Sequence, residues 1–184
     1  MQVTIEDVKL LFSRGDITDQ TVDVIVNAAN PSLLGGGGVD GAIHRKGGPK
    51  ILEDCKRIRT NKWPNGLPVG HVVLSAGGNL KTRFVAHTVG PTWEGGNRNE
   101  AHRLADAYSI SLALATTHGF ESIAFPSIST GAYGYPIEQA STIALKSVKT
   151  FLVENATTLK LVVFVLFSQD DLRIYEEAAN EVFA

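Results

Sequence analysis

The stretch that decides the fold is "NAANPSLLGGGGVDGAIH", residues 27 to 44, which joins an apolar run to a helical pattern. It begins with polar residues, has four consecutive glycines in its middle and carries Asp40 near its end. Glycine loses more backbone entropy on folding than any other residue, so this composition indicates a place where the main chain must adopt unusual conformations or approach something closely. Glycine-rich turns ahead of helices often present their N–H groups to phosphates.

Apolar runs and helical patterns alternate on both sides of this stretch. The predicted strands are residues 3–12, 21–29, 71–77, 83–90, 122–128 and 159–167. The predicted helices are residues 41–45, 48–59, 99–119, 137–155 and 170–183. Strands that alternate with helices predict an α/β fold whose sheet is covered on both faces.

Length and composition limit the class of protein. A chain of 184 residues with 43% hydrophobic and 20% charged residues is typical of one globular domain, here residues 1–184. The net charge of −2 argues against a protein that binds long nucleic acid. The charged N-terminal segment and the absence of a long apolar run predict neither a signal peptide nor a membrane span. A single cysteine, Cys55, suits a reducing compartment, so we expect a cytoplasmic protein without a metal.

A second loop, "PSISTGAYGYP" at residues 126–136, also follows an apolar run. Ligands of open α/β sheets bind outside the carboxyl ends of strands, so the two loops together could hold a diphosphate. The first loop lacks the ending "GK[ST]" of a nucleotide-hydrolysing phosphate loop. Gly36, Gly38 and Gly41 match G-x-G-x-x-G, but the acidic residue that a dinucleotide-binding unit needs at a second strand is missing. A merely flexible surface turn remains an alternative for the glycines.

Five motifs in the same order resemble the macrodomain family. They are "GDIT" at 15–18, "VDVIVNAAN" at 22–30, "LLGGGGVDGAIH" at 33–44, "HTVGP" at 87–91 and "SISTGAYGYP" at 127–136. The combination is most similar to the MacroD-type branch, which hydrolyses ADP-ribose esters. The resemblance implies a three-layer α/β/α sandwich with a central mixed sheet.

The resemblance assigns residues to the adenine end of the ligand. Asp16 matches the aspartate that accepts a hydrogen bond from the adenine amine, and Ile17 follows with a main-chain amide close to the ring. Phe167, at the end of the sixth predicted strand, is a candidate wall for the base. Taken as sequence alone, Asp16 reads as a turn residue and Phe167 as a core residue.

For the diphosphate and the distal ribose, the resemblance implies contacts from both loops. Main-chain amides of the two loops would bind the diphosphate, and the ring of Tyr133 would pack against the distal ribose. No arginine cluster is then required, because amides can neutralise an anion. The complete set of implied ligand contacts is Asp16, Ile17, Gly36, Gly37, Gly38, Val39, Ser127, Ser129, Thr130, Gly131, Ala132, Tyr133 and Phe167.

The resemblance places the chemistry on Asn30 and Asp40. Asn30 would hydrogen-bond the distal ribose, and Asp40 would orient an attacking water and accept its proton. The sequence also predicts that Asp40 caps a helix beginning at Gly41. His44 lies one helical turn after Asp40, and we expect it to be a supporting or surface residue.

The function expected from this reading is hydrolysis of ADP-ribose esters by a monomer that needs no cofactor. The substrates would be O-acetyl-ADP-ribose, mono-ADP-ribosylated aspartate and glutamate side chains of proteins, or both. A reader that binds ADP-ribose without turnover and an ADP-ribose phosphatase are the alternatives. Asn30 and Asp40 favour the enzyme, because a reader needs neither.

Overall fold

A computed structural model describes residues 1–184 and contains a seven-stranded sheet with five α-helices. The strands are β1 (Gln2–Ile5), β2 (Val8–Arg14), β3 (Val24–Ala28), β4 (Val72–Ala76), β5 (Phe84–Thr88), β6 (Ser122–Phe125) and β7 (Leu161–Leu166). The helices are α1 (Gly38–Gly47), α2 (Pro49–Asn61), α3 (Glu100–Thr117), α4 (Ile137–Glu154) and α5 (Gln169–Val182). A short 3-10 helix covers Ile17–Asp19.

The order of strands across the sheet is β1-β2-β7-β6-β3-β5-β4. The five central strands, from β2 to β5, pair in parallel, and β1 and β4 each pair antiparallel at an edge. The sheet is therefore mixed, as expected. Because parallel strands end at the same edge, the segments that follow β2, β7, β6, β3 and β5 all lie along one side of the molecule.

The helices form a layer on each face of the sheet. Alternate residues of the strands enter different cores, since Val24 and Val26 belong to one buried cluster and Ile25 to the other. The cluster under α3, α4 and α5 has 29 buried residues, and the cluster under α1 and α2 has 15. The three-layer α/β/α prediction is therefore confirmed, with the larger core on the three-helix side.

The first predicted strand is wrong in one respect. Residues 3–12 are not one strand, because Glu6 and Asp7 form a turn and β1 folds back on β2, with Ile5 opposite Val8. Glu6 has a φ of 49°, a value that few residues other than glycine adopt, and so the apolar pattern alone did not indicate the turn. The sheet consequently has seven strands where the sequence predicted six.

The remaining elements lie where the sequence predicted them, with ends shifted by a few residues. Pro49 begins α2, and Gly119 follows α3 in the left-handed conformation with a φ of 71°. The exception is α1, which begins at Gly38 and not at Gly41. No helix combines the length and the apolar character needed to cross a lipid bilayer.

Candidate active site

Asp16 lies directly after β2 and beside the end of β7. The Gly15 N–H donates to the carbonyl of Leu166 at 2.9 Å, and this bond places Asp16 next to Phe167. The ring of Phe167 is 87% exposed, so the core interpretation of this residue is wrong and its face is free for a planar ligand. Asp16 and Phe167 therefore both lie at the carboxyl edge of the sheet, after two neighbouring strands.

The Asp16 carboxylate is held by three groups. It accepts hydrogen bonds from the main-chain N–H and the hydroxyl of Thr18, and from Lys46 Nζ at 2.8 Å. Partial burial would raise the pKa of Asp16, but the bonds from Lys46 and Thr18 outweigh it and lower the pKa to about 2. Asp16 is thus also a turn residue, since it caps the short 3-10 helix. Its carboxylate is ionised and can only accept hydrogen bonds.

Asn30 begins the turn after β3, and its amide is fixed at both ends. Its Nδ2 donates to the carbonyl of Gly35 at 2.8 Å, and its Oδ1 accepts from the hydroxyl of Ser32. The orientation of the amide follows, because a carbonyl can only accept a hydrogen bond. One Nδ2 hydrogen remains free of these contacts.

Gly36 separates Asn30 from Asp40. A Cβ on Gly36 would lie 3.1 Å from Asn30 Nδ2 and 3.1 Å from Asp40 Oδ2. The amide and the carboxylate therefore approach the same small space from two sides. Any side chain at position 36 would enter that space, which gives this glycine a steric role.

Asp40 is buried in the first turn of α1, with 5% of its surface exposed. Its Oδ1 accepts from Asn27 Nδ2 at 2.7 Å and lies 3.4 Å from His44 Nε2. Burial raises the pKa of Asp40, although the bond from Asn27 and the charge of His44 act against the rise. The predicted N-cap role is wrong, because the helix begins at Gly38, three residues before the predicted start, and Gly37 takes the cap position. The earlier start turns Asp40 inward.

The second loop, residues 126–136, is held by hydrogen bonds to two buried tyrosines. The hydroxyl of Tyr108, on α3, accepts from the Ile128 N–H at 3.0 Å. The hydroxyl of Tyr175, on α5, donates to Ser127 Oγ at 2.9 Å. Ser129 has a φ of 68°, and its buried hydroxyl has no partner. A non-glycine residue rarely adopts such a φ, so the surrounding contacts constrain this turn.

The second loop carries Tyr133, which is half-buried. Burial raises the pKa of Tyr133, and the negative charge of Asp40 adds to the rise. Gly131 and Ala132 are exposed, and their main chain is open to a ligand. The two loops therefore lie at the same edge of the sheet, where both follow the carboxyl ends of parallel strands.

The remaining candidates are placed on the same edge. Ile17 is buried in the smaller core, so only its main chain could meet a ligand. Val39 packs against the same core, and Thr130 donates to Ser127 Oγ at 2.8 Å. Gly37 has ordinary backbone angles and a Cβ there would meet nothing within 4 Å, whereas Gly38 has a φ of 58°.

Cys55, the single cysteine, lies beside two histidines. The donor atoms of His44, Cys55 and His87 are all within 4.8 Å of one another. However, the nitrogens of His87 face Ser75 Oγ at 2.8 Å and Asn27 Nδ2 at 3.1 Å, so both are engaged. Burial raises the pKa of the Cys55 thiol to about 12, with the charge of Asp40 adding to the rise. The set therefore suits a hydrogen-bonded core better than a metal.

Several residues around the site had no role in the sequence analysis. Lys46 was not singled out, and Tyr108 and Tyr175 lay within predicted helices without an assigned role. Asn27 and His87 stood inside motifs that were quoted for their neighbours. A polar residue within an apolar strand pattern was the available signal for these two, since both are fully buried.

Comparison with known proteins adds the following. The sequence model of the Macro domain family matches residues 26–144. The chain is 54% identical over 173 residues to a protein of Citrobacter koseri named O-acetyl-ADP-ribose deacetylase, covering 94% of this chain and 96% of that protein. It is 53% identical over 177 residues to a macro domain-containing protein of Caldanaerobacter subterraneus, covering 96% of this chain and 98% of that protein.

Among solved structures, the chain is similar to the Oceanobacillus iheyensis macrodomain. The TM-score is 0.95 at 46% identity, over 100% of this chain and 98% of that one, for a G37V mutant with ADPR.

Proposed function

The chain belongs to the macro domain family, and from that premise we propose that it is a hydrolase that binds ADP-ribose and cleaves ADP-ribose esters. The relatives named as deacetylases support this activity, since they are about half identical over nearly the whole chain. The observation that carries the proposal is the pair Asn30 and Asp40, which face one space across Gly36.

We propose that ADP-ribose lies along the carboxyl edge of the sheet, with adenine at Asp16 and Phe167. The ionised Asp16 would accept from the adenine amine, and the exposed ring of Phe167 would stack on the base. The diphosphate would bind main-chain amides of the two loops, where the α1 N-terminus adds positive potential. The unpartnered hydroxyl of Ser129 would gain a partner there.

The distal ribose would then reach Asn30, Asp40 and Tyr133. The free Nδ2 hydrogen of Asn30 would donate to a ribose hydroxyl. Asp40 Oδ2, which faces away from the core contacts of Oδ1, would orient a water and accept its proton. The water oxygen bonds to the acyl carbon, the bond to the ribose oxygen breaks, and that oxygen takes up a proton. The products are a carboxylic acid and ADP-ribose.

We propose two kinds of ester substrate for the same site. O-acetyl-ADP-ribose is favoured by the names of the relatives. Removal of mono-ADP-ribose from aspartate and glutamate side chains of proteins uses the same kind of ester bond, and we propose it as a second reaction of the same site. Neither reaction needs a metal to activate the leaving group, because one oriented carboxylate and a water can hydrolyse an ester.

The experiment is to incubate the protein with O-acetyl-ADP-ribose and, separately, with a glutamate-ADP-ribosylated protein. We expect release of acetate in the first reaction and of ADP-ribose in the second. Inactivity on both, with tight binding of ADP-ribose, would make the protein a reader. Release of inorganic phosphate from ADP-ribose 1″-phosphate without ester hydrolysis would make it a phosphatase.

A further inference from the structure

A buried chain of hydrogen bonds runs from the main chain of β4 to Asp40. Ser75 Oγ lies 3.0 Å from the carbonyl oxygen of Ala76 and 2.8 Å from His87 Nε2. His87 Nδ1 lies 3.1 Å from Asn27 Nδ2. The same Asn27 nitrogen lies 2.7 Å from Asp40 Oδ1. The chain crosses three neighbouring strands, β4, β5 and β3, and Asn27 is directly opposite His87 in the parallel register.

The direction of every bond in this chain is fixed by its first member. A carbonyl can only accept, so the Ser75 hydroxyl donates to Ala76. The Ser75 oxygen then accepts from His87 Nε2–H, which leaves Nδ1 as an acceptor in the neutral ring. Nδ1 in turn accepts one hydrogen of the Asn27 NH2 group. The second hydrogen of that group is directed at Asp40.

The orientation of the Asn27 amide leaves one of its atoms without a hydrogen bond and is nevertheless fixed by its neighbours. Its Oδ1 is buried without a partner, which is unfavourable. If the amide were rotated by 180°, Asn27 Oδ1 would face His87 Nδ1 and Asp40 Oδ1. All three atoms are acceptors, so neither hydrogen bond could form. The NH2 group is therefore held toward Asp40 by His87, although the orientation leaves an oxygen unsatisfied.

We propose that Asn27 and His87 are positioning residues for the reaction: His87 orients the Asn27 amide, and the amide keeps Asp40 ionised with Oδ2 turned toward the substrate. Burial lowers the pKa of His87 to about 3, and the charge of His44 adds to the effect, so the ring stays neutral and Nδ1 stays an acceptor. The inference rests on the proposed function, because it supplies the catalytic base with its geometry.

Groups on four elements surround Asp40 and bear on its ionisation. His44 on α1 lies 3.4 Å from Oδ1 and favours the charged carboxylate. The pKa values of Cys55 on α2 and Tyr133 in the second loop are raised by burial and, in addition, by the charge of Asp40. His87 on β5 acts only through Asn27. Of these contacts, the donor from Asn27 is the shortest and the most buried.

The test uses a matched pair of variants at position 87. His87→Asn places an amide oxygen near the position of Nδ1 and can still accept from Asn27, whereas His87→Gln places its amide near Nε2 and cannot. The titration of Asp40 is followed by ¹³C NMR of its carboxyl carbon, assigned with Asp40→Asn. O-acetyl-ADP-ribose hydrolysis and ADP-ribose affinity are measured in parallel over pH.

In His87→Gln we expect the Asp40 midpoint and the acid limb of kcat to move to higher pH. The loss of a hydrogen bond to a charged group corresponds to a decrease in kcat of about 10- to 100-fold on the acid side. ADP-ribose affinity should not change. His87→Asn should restore both the midpoint and the acid limb. Cys55→Ala removes the 3.7 Å contact of the thiol with His87 Nε2 but keeps the shorter bond from that nitrogen to Ser75 and the rest of the chain, so it should behave as the parent.

A folded His87→Gln protein with the parent midpoint and the parent pH profile would overturn the proposal. If His87→Gln does not fold, Asn27→Leu takes its place, since it keeps the volume of the side chain and removes the donor, and an unchanged Asp40 midpoint would again overturn it. A parent that hydrolyses no ester would refute the proposed function, while the NMR titration would still decide the role of Asn27 and His87.

Discussion

Asp16 and Gly36 show how single residues serve both the fold and the proposed site. Asp16 caps a 3-10 helix and is paired with Lys46, and its carboxylate still lies at the open edge of the sheet. Gly36 lacks a side chain and so leaves room between Asn30 and Asp40. Function at this scale depends on which atoms are left free by the structural contacts.

Asp16→Ala should weaken ADP-ribose binding by about 1–3 kcal/mol, because the adenine amine would lose its acceptor in a partly enclosed position. Isothermal titration calorimetry measures the effect. Asp19→Ala is the control, since Asp19 also approaches Lys46, at 3.7 Å, but is more exposed. Equal affinities of parent and Asp16→Ala would remove Asp16 from the adenine site.

Gly36→Ala should slow ester hydrolysis by at least about tenfold, because a methyl group would occupy the space between the amide and the carboxylate that orient the reaction. The unfolding midpoint should change little. Gly15→Ala is the control, since a Cβ at Gly15 meets nothing within 4 Å at the same sheet edge. The steric role of Gly36 would be refuted by a Gly36→Ala enzyme with the parent kcat.

At the scale of elements, the loop between β5 and α3 is joined to the second loop of the site. The Trp93 N–H donates to the Tyr133 carbonyl at 2.8 Å. Glu100, the first residue of α3, holds the rest of this loop through its buried carboxylate. That carboxylate accepts from the main-chain N–H groups of Glu94, Gly96 and Arg98. The start of α3 thus holds the loop between β5 and α3, and this loop in turn contacts the second loop of the site through Trp93.

Glu100→Gln should loosen this loop, because one carboxylate oxygen becomes an NH2 group that faces donors. Hydrogen exchange of the amides of residues 94, 96 and 98 should become faster, while exchange in the central strands should stay unchanged. Glu94→Gln, at an exposed position of the same loop, serves as the control. Unchanged exchange in Glu100→Gln would show that the loop is held by other contacts.

The elements also show which parts of the fold the sequence could predict. The inner strands were predicted because both of their faces are buried and their apolar runs are continuous. The hairpin between β1 and β2 was missed because its turn uses Glu6 in a conformation typical of glycine. The start of α1 was missed because the helix is entered through glycines, and so Asp40 was read as a cap.

The same distinction applies to the site. The position of the two loops could be predicted because each follows a predicted strand, and such segments meet at one edge. The roles of Asp16, Asn30 and Asp40 came from the resemblance to the macrodomain family. The network behind Asp40 could not be predicted, because it depends on β3, β5 and β4 being neighbours. That order is a property of the tertiary fold.

For the whole molecule, the pH dependence of stability follows from carboxyl groups whose pKa values are shifted by folding. Burial would raise the pKa values of Asp16, Asp54 and Glu100, but hydrogen bonds lower all three, to about 2 for Asp16 and Glu100. A carboxylate with a lowered pKa stabilises the fold above its ordinary pKa, and this contribution is lost as the pH falls through the lowered value. Asp40, whose pKa is raised, acts in the opposite direction.

Urea unfolding should therefore give a lower midpoint at pH 3 than at pH 7. Asp54 contributes through the Ala76 N–H at 2.9 Å and through Lys50 and Arg57, so Asp54→Asn should reduce the difference between the two midpoints. Glu53→Gln, an exposed neighbour on the same helix, should leave the difference unchanged. Equal pH differences in parent and Asp54→Asn would contradict this assignment.

The central claim is that binding and chemistry are carried by different ends of one site. The measurement that tests it most directly compares Asp40→Ala with Asp16→Ala, using calorimetry for ADP-ribose and initial rates for O-acetyl-ADP-ribose. Asp40→Ala should bind ADP-ribose nearly as the parent does and lose about 100- to 10,000-fold in kcat, the usual contribution of a positioned general base. Asp16→Ala should lose affinity and keep most of its kcat. A folded Asp40→Ala protein with the parent kcat would contradict the account.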